Sequence, residues 1–515
     1  MVVASRTAWN RWAPACACLV AFIAFGCGLG DDRAYRRAST FTVLHPGDER
    51  IFTPLIWPAQ FLIFLPLVSY DENGELQGRL AHAWEHSPDY REWTFHLRTD
   101  VRWHDGVPVT AHDIEFTMEL FAHPDVLVLR QPLESMAAPD DSTFTIRYTQ
   151  PTDALDWWFT YYPKHLLQDL DPKDFFEWEF WLRPVGDGPY RYVRHIPKTM
   201  VELEANPDFY RGKPKIEHVV LKFGESSLTE LLSGNVDAAG IEGIDIPKLA
   251  GDPRFRIYHW LFRDVDWVYG IYWNHRDPLF ADPAVRRALT LAIDRRELHR
   301  VLNLPADLPI FDVIFTGRQY RRGELPDALS YDPKLARQLL DEAGWRDVDE
   351  GEPLERDGQE FRFTALVPPG QHLHKAAVYI EAQLREIGVR MEVQSVDFGL
   401  VLQRMGSGDF QAAFARTDQG SRYHRIGIFG QGSWIGYENP QVARLIGAVD
   451  VTIDPDERDR IYLDLWPILE ADVPVTFLYP LVRIVAAHRR IRGLSSPFRA
   501  DPVASTEHLW LDDEE

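Results

Sequence analysis

Residues Gly78–Leu120 read GRLAHAWEHSPDYREWTFHLRTDVRWHDGVPVTAHDIEFTMEL, and two His-Asp pairs stand close together in their second half. His104-Asp105 and His112-Asp113 could form a metal site, an acid/base site, or part of a scaffold. The segment WTFHLRTDVRWHDG alternates apolar and polar residues, as a half-buried strand does. Asp105-Gly106 marks the turn out of it, with His104 at the strand's end. PVTAHDIEFTMEL then starts a helix. Thr110 is placed to cap it, and Asp113, three residues on, completes a capping box and meets the positive helix end. Ile114, Met118 and Leu120 supply its apolar contacts, while His112 falls on the exposed first turn. A metal needs ligands gathered around one point, and this strand-turn-helix does not gather them. The stretch reads as scaffold, and the sequence offers no catalytic residue, no metal site and no cofactor.

At 515 residues the chain is long enough for about two to four domains. An apolar content of 45%, with 17 Trp, supplies folded cores and excludes a disordered chain. The formal net charge of −23 argues against nucleic acid or anionic membrane as a general partner, since phosphate surfaces require a basic face.

The first residues carry Arg6 and Arg11, then the apolar run APACACLVAFIAFGCGLG. This is the pattern of a secretory leader, residues 1–26, and the run falls short of the ~20 residues of a spanning helix. All three cysteines, Cys16, Cys18 and Cys27, lie here, which leaves none for a disulfide in the folded body. AFGC, ending at Cys27, resembles a bacterial lipobox, with Ala24 where Leu is usual. Cys27 is therefore the expected lipidation site, and residues 27–37 the tether.

The body reads as mixed α/β. PKIEHVVLKFG is a strand, SSLTELLSG a helix and NVDAAGI a strand. DPAVRRALTLAIDRRELHRVL is a helix capped by Asp282, with Val285, Leu289, Ala292 and Ile293 on one face. DPKLARQLLDEAGW repeats the device with Asp332 and Pro333. Helices and strands then alternate through FGLVLQRMGSG and FQAAFAR, the pattern of parallel sheets covered by helices.

The opening stretch resembles the signature region of the family 5 extracellular solute-binding proteins, the group of oligopeptide- and dipeptide-binding proteins of ABC importers. Leu80, Ala81, Trp84, Trp93, Phe95, Leu97, Arg98, Asp105, Gly106, Thr110, Ala111 and Asp113 carry the likeness. GDGPYRY, ANPDFYRGKPKIEHVV, LLSGNVDAAG, YWNHRDPLFADPAVRRALTLAIDRREL and YDPKLARQLLDEAGW continue it in family order, with Asp187 where Thr is usual. The resemblance implies a two-lobed periplasmic-binding-protein type II fold with an additional inserted domain. Domain I would comprise residues 38–58, 183–265 and 480–515, domain II residues 59–182, and domain III residues 266–479. Ligand would lie between lobes that close about crossovers near Leu261–Trp267 and Phe477–Val482. The implied protein is a monomer in the periplasm or on the outer face of the cell membrane. It hands peptides or similar small polar solutes to ABC permease subunits and their ATPases.

A peptide in a cleft needs an anion for its ammonium and donors for its carboxylate, because unpaired buried charge is costly. In peptide-binding relatives an Asp just after the strand corresponding to FQAAFAR takes the ammonium, and Asp418 stands at that place. His374 sits where some oligopeptide binders use a His, and Arg416 adds a cation nearby. Beyond Asp418 the sequence departs from the family and adds Arg422 and Arg425, which favours a more anionic ligand. Tyr423 and Trp434 are candidates to pack on ligand side chains. Two other classes stay open on sequence: a binding module that serves as sensor or chaperone, and a secreted hydrolase. For the hydrolase there is neither a nucleophile elbow nor an HExxH helix.

Overall fold

The computed structural model describes residues 39–45, 59–71, 76–126, 133–155, 160–224, 227–261, 267–348, 352–419, 421–495 and 506–512. The leader, Cys27, the tether and part of the first crossover lie outside them.

A seven-stranded sheet runs in the order Phe255–Leu261, Val482–His488, Ala238–Ile241, Thr40–His45, His218–Phe223, Met200–Ala205, Tyr190–Ile196. A four-stranded sheet is built from Ala81–His86, Glu92–Leu97, Thr143–Tyr148 and Leu133–Asp140. A five-stranded sheet runs Arg390–Ser395, Arg362–Val367, Ala412–Asp418, Trp267–Trp273, Val475–Pro480. The alternation of helix and strand suggests parallel sheets, and here the structure differs. The two larger sheets are mixed, with Thr40–His45 parallel to His218–Phe223 but Ala238–Ile241 antiparallel to Val482–His488. The four-stranded sheet is antiparallel throughout.

The core follows the same division. One large apolar cluster lies within residues 268–479 around Trp273, Trp345 and Phe363. A second joins the four-stranded region, through Trp93, Trp103 and Trp181, to the Phe41, Leu203 and Leu221 side of the seven-stranded sheet. All the strands of the five-stranded sheet lie between Trp267 and Pro480, so the chain passes between the two larger sheets twice, at 261–267 and 480–482.

The helix expected from Asp282 to Leu302 is two helices, Pro283–Leu291 and Arg295–Val301. Asp282 caps the first at Ala284 N–H, and Asp294 interrupts the run by capping the second at Glu297 N–H, 2.9 Å. Asp332 caps Pro333–Glu342 at Leu335 N–H as its sequence suggests.

The strand-turn-helix of the opening stretch forms, and its members have separate tasks. The strand ends at Leu97, short of His104. His104 is bound within the scaffold: its ring nitrogens meet Gly188 O at 3.1 Å and Gly186 N–H at 3.2 Å. Burial pulls its pKa down to about 4 and keeps it neutral. Asp105 pairs instead with His165 at 2.8 Å. His112 lies near Glu115 and Asp141 at 3.5 and 3.6 Å. Among the described residues no group of three or more His, Cys, Asp or Glu side chains could hold a metal ion. Gly186 and Gly188 are required because a Cβ on either would lie 1.9 or 2.6 Å from the Ile63 backbone.

Candidate functional site

Trp267–Trp273 and Ala412–Asp418 pair antiparallel, with Trp267 opposite Asp418 and Tyr269 opposite Arg416. Directly opposed residues, and residues two apart along a strand, share a face. Trp267, Tyr269, Arg416 and Asp418 therefore lie together on one side of the sheet, at the end reached by both chain crossovers. Leu481 N–H donates to Trp267 O at 2.6 Å, which fixes the second crossover against this corner. The opposite face is core, where the hydroxyls of Tyr272 and Thr417 hydrogen-bond to each other.

Four of the sequence candidates come together here. Asp418 is half-buried and accepts Ser421 N–H at 3.2 Å, so its carboxylate sits at the start of the helix Arg422–Phe429. The Arg416 guanidinium lies 4.7 Å over the Trp267 ring. Tyr423 packs edge-on to Trp434 with ring centroids 4.9 Å apart and is itself 70% exposed. Trp434 rests on Gly427, where a Cβ would come within 2.4 Å of the indole.

His374 is not brought into this group. It is exposed on the helix Gln371–Glu386. His372, two residues earlier, turns inward, with Nδ1 3.1 Å from the Tyr479 hydroxyl and its ring 6.1 Å from that of Tyr269. Burial first, and Lys375 second, hold its pKa down at about 4. The expectation that Arg422 and Arg425 bias the site toward anions is also revised. Arg425 donates to the buried Asp450 at 2.5 Å, and Arg422 lies 3.5 Å from the same carboxylate. Arg425 further donates to Gln419 O at 2.8 Å, so its role is to brace the loop after the strand.

Sequence reasoning missed Trp267, Tyr269, Gln419, His424 and Tyr479. The period-two pattern of the strand Trp267–Trp273 could have shown Trp267 and Tyr269 sharing a face. Nothing local marks Tyr479, which reaches the site through strand pairing with Tyr269. His424 stands 6.0 Å ring to ring from both Trp267 and Trp434. Its pKa is lowered mainly by burial, with Asp418 opposing and Arg416 adding to the shift.

The middle region of the bacterial extracellular solute-binding proteins, family 5, matches residues 75–423. The chain belongs to this family. Among family relatives, a Brucella ovis protein named provisionally as an ABC transporter peptide-binding protein is 27% identical over 90% of this chain and 92% of its own. The oligopeptide-binding protein AppA of Bacillus subtilis is 26% identical over 87% of this chain and 86% of its own. The solved structure of that AppA with a nonapeptide superposes with a TM-score of 0.67 at 22% identity, covering 92% of this chain and 99% of the other. NikA from Brucella suis, solved with Fe(III)-EDTA, gives 0.75 at 19% identity over 92% of this chain and all of the other. At such identities the superpositions establish the fold, which is the two-lobed α/β architecture of family 5 solute-binding proteins. Family 5 proteins are extracytoplasmic, and among the described residues of this one no helix is long and apolar enough to cross a membrane.

Proposed function

We propose that this family 5 protein is the substrate-binding component of an ABC import system for short peptides or similar small polar solutes. It captures them between its lobes and delivers them to a membrane permease with its ATPases. The observation that carries the peptide reading is Asp418, a half-buried carboxylate at a strand end, beside both chain crossovers and walled by Trp267 and Tyr269. A carboxylate so placed can take an α-ammonium, while edge-on backbone and aromatic walls accept the rest of a small chain. The names of the relatives point the same way, since AppA is an oligopeptide binder and was solved with a nonapeptide. The role read here is binding and hand-over, with no chemical step.

The grouping of strands supports the three-part division. The seven-stranded sheet draws on domain I as bounded above, the four-stranded sheet on 59–182, and the five-stranded sheet on 266–479. The two crossovers are the hinge in this reading. The protein acts as a monomer, held to the membrane by lipid on Cys27. A Cys27→Ser protein should leave the membrane fraction for the soluble one; equal membrane retention of both proteins would remove the anchor.

The ligand site is tested by native mass spectrometry of protein purified without refolding, followed by calorimetry with whatever copurifies. Asp418→Asn should weaken an ammonium-bearing ligand by about 2–5 kcal/mol, or roughly 30- to 5000-fold. Thermal unfolding of the ligand-free protein should barely move. An unchanged dissociation constant would take Asp418 out of the site.

A further inference from the structure

Beside the crossover at 261–267, the seven-stranded sheet touches the part of the chain that holds the five-stranded sheet. The short turn Gly243–Asp245 follows the strand Ala238–Ile241, and Gly243 is buried against the end of the helix Arg295–Val301. A Cβ at Gly243 would lie 2.3 Å from Leu302 O and 3.5 Å from Asn303 O. Gly243 has no left-handed φ, so space and not backbone conformation excludes a side chain there. Neither side yields freely. Leu302 is 2% exposed in the core around Trp273, and Leu304 N–H closes the helix end on His299 O at 2.8 Å. Ile241 and Leu249, on either side of Gly243 in sequence, belong to an apolar cluster with Phe255 and Ile484 of the seven-stranded sheet. A second contact joins the same two parts. His259, two residues before the strand Phe255–Leu261 ends, has Nε2 3.8 Å from Asp307 Oδ2, five residues beyond Leu302.

A sheet and its packed helices turn about a hinge as a body, because a close-packed interior transmits strain with little give. Such a body stops turning where its backbone meets another backbone. We infer that the seat of Gly243 on the Leu302 carbonyl is the stop that sets the angle between the two larger sheets. This rests on the reading of the two crossovers as the hinge. Glycine lets the turn come down onto the carbonyl. A side chain there holds the sheets at a different angle, because the carbonyl must retreat by about 1 Å to regain ordinary contact. The His259–Asp307 pair lies at the surface, with side chains 29% and 76% exposed, so it marks the same approach and adds little energy to it. The resting width of the cleft is thereby fixed by a residue outside the strand pair that carries the candidate site.

Pulsed electron–electron resonance between two spin labels reads that angle in the ligand-free protein. Val193 and Val451 are 41% and 56% exposed. Val193 lies on the edge strand Tyr190–Ile196, at the opposite side of its sheet from Phe255–Leu261, and Val451 follows the helix Pro440–Val449 in the other part. All three natural cysteines lie within residues 16–27, so Val193→Cys and Val451→Cys are labelled alone in the Cys27→Ser protein cleaved of its leader. The main label distance should shift in Gly243→Ala and shift further in the same direction in Gly243→Val. Gly243→Ala, the milder change, decides by itself where Gly243→Val does not fold. As a control on the hinge, two glycines inserted between Leu481 and Val482 should broaden the distance distribution by loosening the second crossover. Broadening there with an unmoved distance in Gly243→Ala overturns the stop and leaves the hinge standing. A shift in Gly243→Ala with no broadening on insertion overturns it too, since the sheets then turn about some other place. No response to either change removes the hinge reading, and the stop with it.

Discussion

Asp187 occupies a place where its family usually has Thr, and its surroundings explain why a neutral side chain suits the position. It is fully enclosed, its Oδ1 accepts Leu65 N–H at 2.9 Å, and burial pushes its pKa up to about 8. The folded protein therefore keeps this carboxyl protonated at neutral pH, while the unfolded chain ionises it near 3.8. Between those values the native state holds the extra proton, so this group lowers stability as pH rises from about 4 to 8. His45, His104, His275 and His372 act with the opposite slope. Burial holds each near 4, so the unfolded chain binds the extra protons and stability falls as pH drops from 6.5 toward 4. Asp187→Asn removes only the first effect. Its gain in melting temperature over the native protein should be near zero at pH 4 and reach a few degrees at pH 8. A gain that does not depend on pH would mean that Asp187 is not the titrating group.

The opening helix shows what sequence reveals at the scale of elements and where it stops. The capping pattern at Thr110 and Asp113 was legible because a helix start obeys local rules, and the helix Ala111–Ala122 begins there. Its energetic centre was not legible. Asp113 accepts from Thr110 N–H at 2.8 Å and the Thr110 hydroxyl at 3.2 Å, and also from Lys164 N–H at 2.9 Å, 51 residues away. Only the folded chain brings Lys164 there. Thr110→Ala should accordingly cost about 1 kcal/mol or less, and Asp113→Ala about 2–3 kcal/mol, since it strands buried donors. Urea unfolding of the two variants checks the order; a larger loss from Thr110→Ala would return the main role to the hydroxyl. The same distinction holds in the candidate site. Asp418 became a candidate through a family position at a strand end, whereas Tyr479 and His372 meet Tyr269 only through pairing of strands far apart in sequence. The break at Asp294 was missed because the apolar stripe continues past it, although Asp294 and Glu297 carry the signal of a second start.

At the scale of the whole molecule, the pair Arg79–Glu507 joins parts of the chain that are far apart in sequence. Arg79 lies just before the four-stranded sheet and Glu507 near the end of the chain, and two guanidinium nitrogens each meet a carboxylate oxygen at 2.6 Å. Both side chains are about nine-tenths buried. Arg211 and His508 approach the same carboxylate at 3.4 and 2.9 Å. Burial opposes the charge on Glu507, but Arg79 and then His508 outweigh it and hold the carboxyl well below its usual range. The residues near the end of the chain are thereby latched to the start of the four-stranded sheet. The latch contributes fully above the ordinary Glu value of 4.5 and weakens as pH falls below it, because the native state resists the proton that the unfolded chain accepts. Glu507→Gln leaves Arg79 charged and enclosed without its partner, at an expected cost of about 3–5 kcal/mol at pH 7. Replacing both residues, as Arg79→Met with Glu507→Gln, should recover much of that loss, since the buried charge is then gone. Thermal or denaturant unfolding of the single and double variants at pH 7 measures the coupling. Losses that simply add would show that the pair acts through packing alone and that no latch joins the tail to the four-stranded sheet.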